Sequence, residues 1–282
     1  MPIIDGKSVA EKVKQQIADQ VAEFAKEKGR PPCLGVILVG EDPASQVYVR
    51  NKHRTCERVG MTSKQVVLPE STSREELKEA VMAMNNDLTV DGYLVQLPLP
   101  KHLDGEEVKS WVDPKKDADG LTPENLGLLV AGTPRVVSCT PLGVMELIKD
   151  VGYDLTGKKA VVVGRSQIVG TPMSLLLTQA NATVTVCHSK TVDLEAHTKE
   201  ADVVVVAAGR PQMLGKSAFK TGALVIDGGI HRTEQGLCGD VKFDEVKDHV
   251  GFITPVPGGV GPMTIAMLLQ NTLRLAVIGV EK

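Results

Sequence analysis

Short apolar runs alternate with segments of helical periodicity along most of the chain, and this alternation limits the folds that the sequence can adopt. Residues 33–40, 65–69, 91–100, 182–187 and 201–209 have the length and composition of strands. The segments between them are long enough for helices, and a strand–helix–strand connection joins parallel strands. We therefore predict an α/β fold with mostly parallel sheets.

The pattern restarts near residue 139, which divides the chain into two predicted domains. A chain of 282 residues is long enough for two domains. We assign 1–139 to an N-terminal α/β domain and 140–262 to a Rossmann-like dinucleotide-binding domain. The last helix, predicted over 263–278, is expected to pack back on the first domain, so that residues 263–282 belong with it.

Two serines precede helical segments with a glutamate three positions later, which is the pattern of a capping box. These pairs are Ser8 with Glu11 and Ser73 with Glu76. We expect one helix to begin after Ser8 and another after Ser73.

Charge and cysteine usage exclude several classes of protein. The formal net charge is −3, with both signs interspersed, which does not fit a nucleic-acid binder. The start of the chain becomes charged at Asp5 and lacks the apolar core of a secretory signal. The apolar run at 203–209 is too short to span a membrane. Five dispersed cysteines without a CxxC favour reduced thiols and a cytoplasmic location.

No metal site is predicted. His53 and Cys56 could share a metal from one helix, but no second pair of ligands accompanies them. The string KDADG at 116–120 partly matches a calcium loop. Its first and last ligand positions would be Lys115 and Leu126, which cannot bind calcium, so a turn is the better interpretation.

A glycine-containing turn follows the first strand of the predicted second domain. Gly164, Ser166 and Gly170 lie between a run of valines and a helical segment. A turn at a helix N-terminus exposes backbone N–H groups to phosphate. The spacing departs from GxGxxG, but the strand–turn–helix context favours dinucleotide binding over a plain structural turn.

The end of the next strand favours NADP over NAD. NAD sites place an acidic residue there for the ribose 2′-hydroxyl, whereas residues 187–190 read Cys-His-Ser-Lys. Arg165 supplies a cation beside the turn. The alternative is that Arg165 is a solvated loop residue.

One predicted helical face carries Ser45, Tyr48, Lys52 and Cys56. A lysine beside an aromatic residue in a cleft can take part in proton transfer. From spacing alone, an exposed lysine next to a half-buried tyrosine is the better interpretation.

Three loop segments carry further candidates. Gln96 follows a strand, where its carboxamide could hold a substrate ring or the lysine ammonium. Asp119 precedes Gly120 and fits an ordinary Asp-Gly turn when taken by itself. The glycine–proline segment 255–264 would allow close approach to a ligand or serve as an interdomain connector.

Together these segments resemble one family, the bifunctional methylenetetrahydrofolate dehydrogenase/cyclohydrolases. The resemblance extends over the whole chain and rests on motifs in the family's order: VGEDPASQVYVRNK, VQLPLP, KDADG, GRSQIVGTPM, CHSKT and TPVPGGVGPMT. It implies a homodimer of two-domain protomers with a cleft between the domains. It also implies oxidation of 5,10-methylenetetrahydrofolate with NADP, followed by hydrolysis to 10-formyltetrahydrofolate.

The resemblance also implies roles for individual residues. Lys52 matches the catalytic lysine, Gln96 its partner, and Tyr48 the aromatic residue against the folate. Asp119 matches the carboxylate that binds the pterin ring, and Pro257 with Gly258 match a segment bordering the folate. The NADP-binding positions are matched by Gly164, Arg165, Ser166, Ser189 and Ile230.

Two other classes remain as alternatives. A different oxidoreductase, such as an amino-acid dehydrogenase, would share the dinucleotide domain without needing KDADG or the Tyr48–Lys52 pair. A non-catalytic binding protein for NADP or folate would need no proton-transfer lysine.

Overall fold

The computed structural model describes residues 3–234 and 236–280, which form two compact units. One unit comprises Met1–Glu11 and Ser138–Thr264, and we call it the five-strand unit after its main sheet. The other comprises Lys12–Val137 and Ile265–Lys282, and we call it the three-strand unit. Residues 1–2 and 281–282, which belong to the predicted first domain, lie outside the described residues.

The N-terminal half of the chain builds a small parallel sheet with helices around it. Its elements are α1 (Gly6–Lys28), β1 (Cys33–Val39), α2 (Pro43–Arg58), β2 (Thr62–Leu68), α3 (Arg74–Asn86), β3 (Gly92–Val95), α4 (Gly105–Trp111) and α5 (Pro123–Val130). The strand order is β2-β1-β3, and both pairings are parallel. Every residue of the central strand β1 is buried, which explains its uninterrupted apolar sequence.

The two predicted capping boxes have different outcomes. Ser73 and Glu76 form the reciprocal hydrogen bonds of a capping box at the start of α3, as predicted. The prediction for α1 is wrong, because the helix begins at Gly6 rather than after Ser8. The Asp5 carboxylate accepts from the backbone nitrogens of Lys7 and Ser8, so an aspartate three residues earlier supplies the side-chain acceptor.

The second half of the chain builds the larger sheet. Its elements are α6 (Cys139–Asp150), β4 (Lys159–Val163), α7 (Gly170–Gln179), β5 (Thr183–Cys187), α8 (Leu194–Thr198), β6 (Val203–Val206), a 3₁₀ turn (Lys216–Ala218), β7 (Leu224–Asp227), β8 (His231–Thr233), β9 (Gly236–Cys238), α9 (Phe243–Val246), β10 (Phe252–Ile253) and α10 (Val260–Val280). The order β10-β7-β6-β4-β5 is parallel throughout, while β8 and β9 form an antiparallel hairpin. The prediction of an α/β fold with mostly parallel sheets is confirmed.

The end of α10 packs into the three-strand unit. A Cβ atom built on Gly92 in β3 would lie 3.0 Å from Leu275 Cδ1, so the helix lies directly against this strand. The Asn271 side chain donates to the carbonyl oxygens of Ala118 and Val137. Among residues 3–234 and 236–280, no helix is long and apolar enough to cross a membrane.

Candidate functional site

A buried lysine and a glutamine from distant parts of the sequence meet in the three-strand unit. Lys52 lies on α2 and is only 9% exposed, and its Nζ donates to Gln96 Oε1 at 3.0 Å. Gln96 follows β3, and its backbone nitrogen donates to Ile37 O at 2.8 Å, which extends the ladder to β1. The structure therefore brings together two residues that the sequence analysis singled out separately.

The carboxamide of Gln96 is oriented from both of its ends. Its Nε2 donates to Leu97 O at 2.6 Å, which leaves Oε1 to accept from the lysine. Because glutamine is uncharged, it fixes the position of the Lys52 nitrogen without adding a negative charge beside it. A lysine ammonium held in this way uses one of its three N–H donors on Gln96 and keeps the other two for a ligand.

The helical face around Lys52 is partly buried and partly open. Ser45 is 3% exposed and Cys56 is fully buried, whereas Tyr48, one turn before the lysine, is 45% exposed. Tyr48 thus presents its ring outward next to a largely desolvated lysine.

Burial raises the pKa of the Cys56 thiol to about 12, so it stays protonated and unsuited to bind metal. Among the described residues, no cluster of His, Cys, Asp or Glu could hold a metal ion.

The loop that carries Asp119 is fixed by its neighbours. Asp117 is 4% exposed, and its carboxylate accepts from the backbone nitrogens of Gly120 and Thr122 and from Asn125 Nδ2. The Ala118 carbonyl accepts from Asn271 Nδ2 at 2.9 Å. Residues on both sides of Asp119 are therefore held by buried hydrogen bonds.

Asp119 also shares a pocket with the strand that leads to Gln96. This pocket is lined by Asp119, by Leu94 and Val95 of β3, and by Leu97. The backbone of the loop is attached to the same strand, because Tyr93 N donates to Lys116 O and Ala118 N donates to Tyr93 O. A carboxylate beside apolar walls is suited to a flat ligand with N–H groups at its edge.

Pro257 and Gly258 belong to the five-strand unit, not to the unit that holds Lys52, Gln96 and Asp119. The Val256–Pro257 peptide bond is cis, and Gly258 has a φ of 104°, a value that favours glycine. A Cβ atom on Gly259 would lie 2.6 Å from Pro255 O, so the loop is tightly folded on itself.

The glycine turn after β4 depends on two close backbone approaches. Gly164 has a φ of 135°, and a Cβ atom there would lie 2.4 Å from Ala207 O. A Cβ atom on Gly170, the first residue of α7, would lie 2.2 Å from Gly164 O. The Ser166 hydroxyl accepts from Val169 N at 3.2 Å and so stabilises the turn. The N-terminus of a ten-residue helix follows directly, as in phosphate-binding turns.

The remaining cofactor candidates lie after three strands of the same parallel sheet. Arg165 follows β4, Ser189 follows the neighbouring strand β5, and Ile230 follows β7. Arg165 and Ser189 are exposed, and Ile230 is 53% exposed. Because the carboxyl ends of parallel strands meet at one edge, these side chains are available to a dinucleotide bound there. The residues present fit such a ligand.

Two buried carboxylates in the five-strand unit were not singled out from the sequence. Asp227 is 3% exposed at the end of β7, and Asp240 is fully buried after the β8–β9 hairpin. Burial raises the pKa of the Asp227 carboxyl to about 6, against the opposing effect of three backbone N–H donors. The sequence signal for this cluster is the glycine next to each aspartate. A Cβ atom on Gly229 would overlap the Asp240 carboxylate, and one on Gly239 would overlap the Asp227 carboxylate.

Comparison with known proteins gives family matches for both halves of the chain. Residues 4–119 match the model described as the catalytic domain of tetrahydrofolate dehydrogenase/cyclohydrolase. Residues 138–278 match the model described as the NAD(P)-binding domain of tetrahydrofolate dehydrogenase/cyclohydrolase.

Individual relatives match over nearly their whole length. The chain is 56% identical over 276 residues to the bifunctional protein FolD of Bdellovibrio bacteriovorus, covering 97% of this chain and 96% of that protein. The solved structure of the bifunctional enzyme FolD from Campylobacter jejuni has a TM-score of 0.95 and 46% identity, covering 99% of both chains. The Trypanosoma brucei FolD structure, complexed with NADP cofactor and an inhibitor, has a TM-score of 0.94 and 39% identity, covering 100% of both chains.

Proposed function

The chain belongs to the tetrahydrofolate dehydrogenase/cyclohydrolase family, and we propose that it catalyses both reactions of that family. It oxidises 5,10-methylenetetrahydrofolate to 5,10-methenyltetrahydrofolate with NADP and then hydrolyses this product to 10-formyltetrahydrofolate. The single observation that carries the proposal is the contact between the buried Lys52 and Gln96, since a binding protein has no need of a preset proton-transfer group. The enzyme thus serves one-carbon metabolism.

The oxidation requires alignment more than acid–base chemistry. The methylene carbon lies between two folate nitrogens, so the cation left by hydride loss is delocalised. When bound, NADP supplies the hydride acceptor. The protein contributes by holding the two reactants in the correct orientation. The closely packed loops at the carboxyl edge of the five-stranded sheet are suited to this task. Gly164 and Ser166 shape the turn that receives the phosphates.

Arg165 and Ser189 account for the preference for NADP. They follow the neighbouring strands β4 and β5, and an NAD enzyme places an acidic residue at the end of the second of these strands. When NADP is bound, the guanidinium and the hydroxyl would donate to its 2′-phosphate. Ile230 supplies an exposed apolar contact for the same cofactor.

The hydrolysis requires water to add to the methenyl cation and a proton to reach the departing nitrogen. Neutral Lys52 accepts a proton from the attacking water, and its ammonium form donates to the leaving nitrogen. Gln96 keeps the nitrogen in place during both transfers, because its own orientation is fixed by Leu97 O.

The folate ring is held by the remaining residues of the proposed site. Asp119 accepts from the pterin amino group and ring N–H, and the exposed Tyr48 ring packs against the folate. The folate-binding domain comprises residues 1–139 with 263–282, and the NADP-binding domain comprises residues 140–262. We further propose a cytoplasmic homodimer.

The proposal is tested by supplying the substrates separately to purified protein. With 5,10-methylenetetrahydrofolate and NADP, we expect formation of NADPH, with far less product when NAD replaces NADP. With 5,10-methenyltetrahydrofolate and no cofactor, we expect hydrolysis to 10-formyltetrahydrofolate. Binding of folate and NADP without turnover would indicate a regulator. NADPH formation from an amino acid, and none from the folate, would indicate a different dehydrogenase.

A further inference from the structure

The Asp240 carboxylate accepts hydrogen bonds from the loop after β6 and from the first residue of β8 in the five-strand unit. Its Oδ2 accepts from the backbone nitrogens of Ala208 at 2.6 Å and Gly209 at 3.1 Å. Its Oδ1 accepts from the backbone nitrogen of Arg210 at 2.9 Å and from His231 Nε2 at 2.6 Å. The carboxylate is fully buried, so these donors replace water entirely.

The loop held by Asp240 lies beside the phosphate-binding turn. Residues 208–210 follow β6, the neighbour of β4 in the sheet, and a Cβ atom on Gly164 would meet Ala207 O at 2.4 Å. Successive backbone N–H groups of this kind can form a concave anion-binding site, which is called a nest. Here an internal carboxylate occupies the nest and fixes the shape of the loop that packs against Gly164.

Asp240 is itself fixed by a second buried carboxylate. Asp227 Oδ1 accepts from the backbone nitrogens of Gly229 at 2.9 Å and Asp240 at 3.0 Å, while Oδ2 accepts from Val241 N at 2.8 Å. The Asp227 backbone nitrogen donates to Thr254 Oγ1 at 2.7 Å. The loops after β6 and β7 are therefore connected through a chain of two carboxylates.

We propose that Asp240 is a positioning residue for the nicotinamide cofactor, which acts by holding residues 208–210 and the His231 ring in the shape that the bound cofactor requires. The inference rests on the proposed dehydrogenase activity. Asp240 does not contact the cofactor, since its side chain is enclosed by its four donors. Its effect on oxidation is therefore indirect, and hydrolysis of the methenyl substrate does not depend on it.

The test is Asp240→Asn, because asparagine keeps the shape and changes only the donors and acceptors. In one orientation its NH₂ group faces the backbone N–H donors of Ala208 and Gly209, and in the other it faces that of Arg210, so the loop loses at least one hydrogen bond either way. We expect kcat/KM for NADP to fall roughly 10- to 100-fold, from the loss of charge-assisted hydrogen bonds that shape the loop. Hydrolysis of added 5,10-methenyltetrahydrofolate without NADP should stay within about twofold of the parent. Asp244→Asn, at an exposed surface pair with Lys247, is the matched control and should leave both activities unchanged.

The outcomes separate this inference from the proposed function. A parent enzyme without dehydrogenase activity contradicts the proposed function. An active parent whose Asp240→Asn variant keeps the parental kcat/KM for NADP, or loses hydrolysis equally, overturns the positioning role. If Asp240→Asn does not fold, His231→Ala and His231→Gln decide the question. His231→Ala should lower kcat/KM for NADP, and His231→Gln, which retains a donor, should keep most of the parental value. If both variants have the same kcat/KM for NADP as the parent, the inference is overturned.

Discussion

Replacing Asp117 by asparagine should loosen the loop that carries Asp119. In the parent, Asp117 Oδ1 accepts from Gly120 N at 2.9 Å, and Oδ2 accepts from Thr122 N at 2.7 Å and Asn125 Nδ2 at 3.0 Å. The least costly orientation of asparagine points its NH₂ at Gly120 N, which loses one hydrogen bond and leaves the other two without charge assistance. With about 1.5–3 kcal/mol for the lost bond and about 1 kcal/mol for each weakened one, the free energy of unfolding should fall by about 3.5–5 kcal/mol.

Urea unfolding and folate kinetics measure the two consequences of Asp117→Asn. We expect a lower unfolding midpoint and a higher KM for the folate substrate, with the KM for NADP unchanged. Asp104→Asn is the matched control, because Asp104 caps α4 at the surface and asparagine caps helices equally well, so its effect should stay within about 0.5 kcal/mol. If Asp117→Asn has the same midpoint and folate KM as this control, then the buried carboxylate does not organise the loop.

Three further predictions concern single groups of the two units. Asp119→Ala should weaken folate binding by about 1.5–3 kcal/mol in a titration with a folate analogue, whereas unchanged affinity would make Asp119 a turn residue. The double variant Arg165→Ala, Ser189→Ala should lose most of the preference for NADP over NAD in kcat/KM, and retention of that preference would refute the assignment of this pocket. Burial raises the pKa of Asp227 from 3.8 to about 6, so the folded state binds this proton more tightly than the unfolded chain. The stabilising contribution of Asp227 is therefore present below about pH 4 and lost as the pH rises through about 6, by roughly 3 kcal/mol. In Asp227→Asn, the free energy of unfolding measured with urea should depend less on pH in this range. An unchanged dependence on pH would show that another group titrates.

The inner strands β1, β4, β6 and β7 could be predicted from the sequence because they are almost fully buried. Cys33–Val39 was predicted to within one residue, since a proline pair and a glycine bound its apolar run. The start of α10 was predicted three residues late, at 263 instead of Val260. Gly261 and Pro262 are typical of loops, but the first turn of a helix accepts proline.

The candidate site could be predicted only in its separate parts. Lys52 and Gln96 are 44 positions apart, so their contact depends on where α2 lies against the end of β3, and local patterns do not contain this information. Asp117, Asp227 and Asp240 were missed as organising groups, because an aspartate in a loop has the same local pattern whether it is solvated or buried. Only the tertiary structure shows which backbone N–H groups converge on each carboxylate.

The central claim is that Lys52 carries out the proton transfers of hydrolysis. The most direct measurement is the rate at which Lys52→Met hydrolyses 5,10-methenyltetrahydrofolate, compared with the parent and with Lys26→Met, a replacement at an exposed lysine near the end of α1. We predict a loss of at least about 100-fold for Lys52→Met, with folate binding largely retained and Lys26→Met unaffected. Hydrolysis by Lys52→Met at the parental rate would contradict the assignment of this lysine and the mechanism built on it.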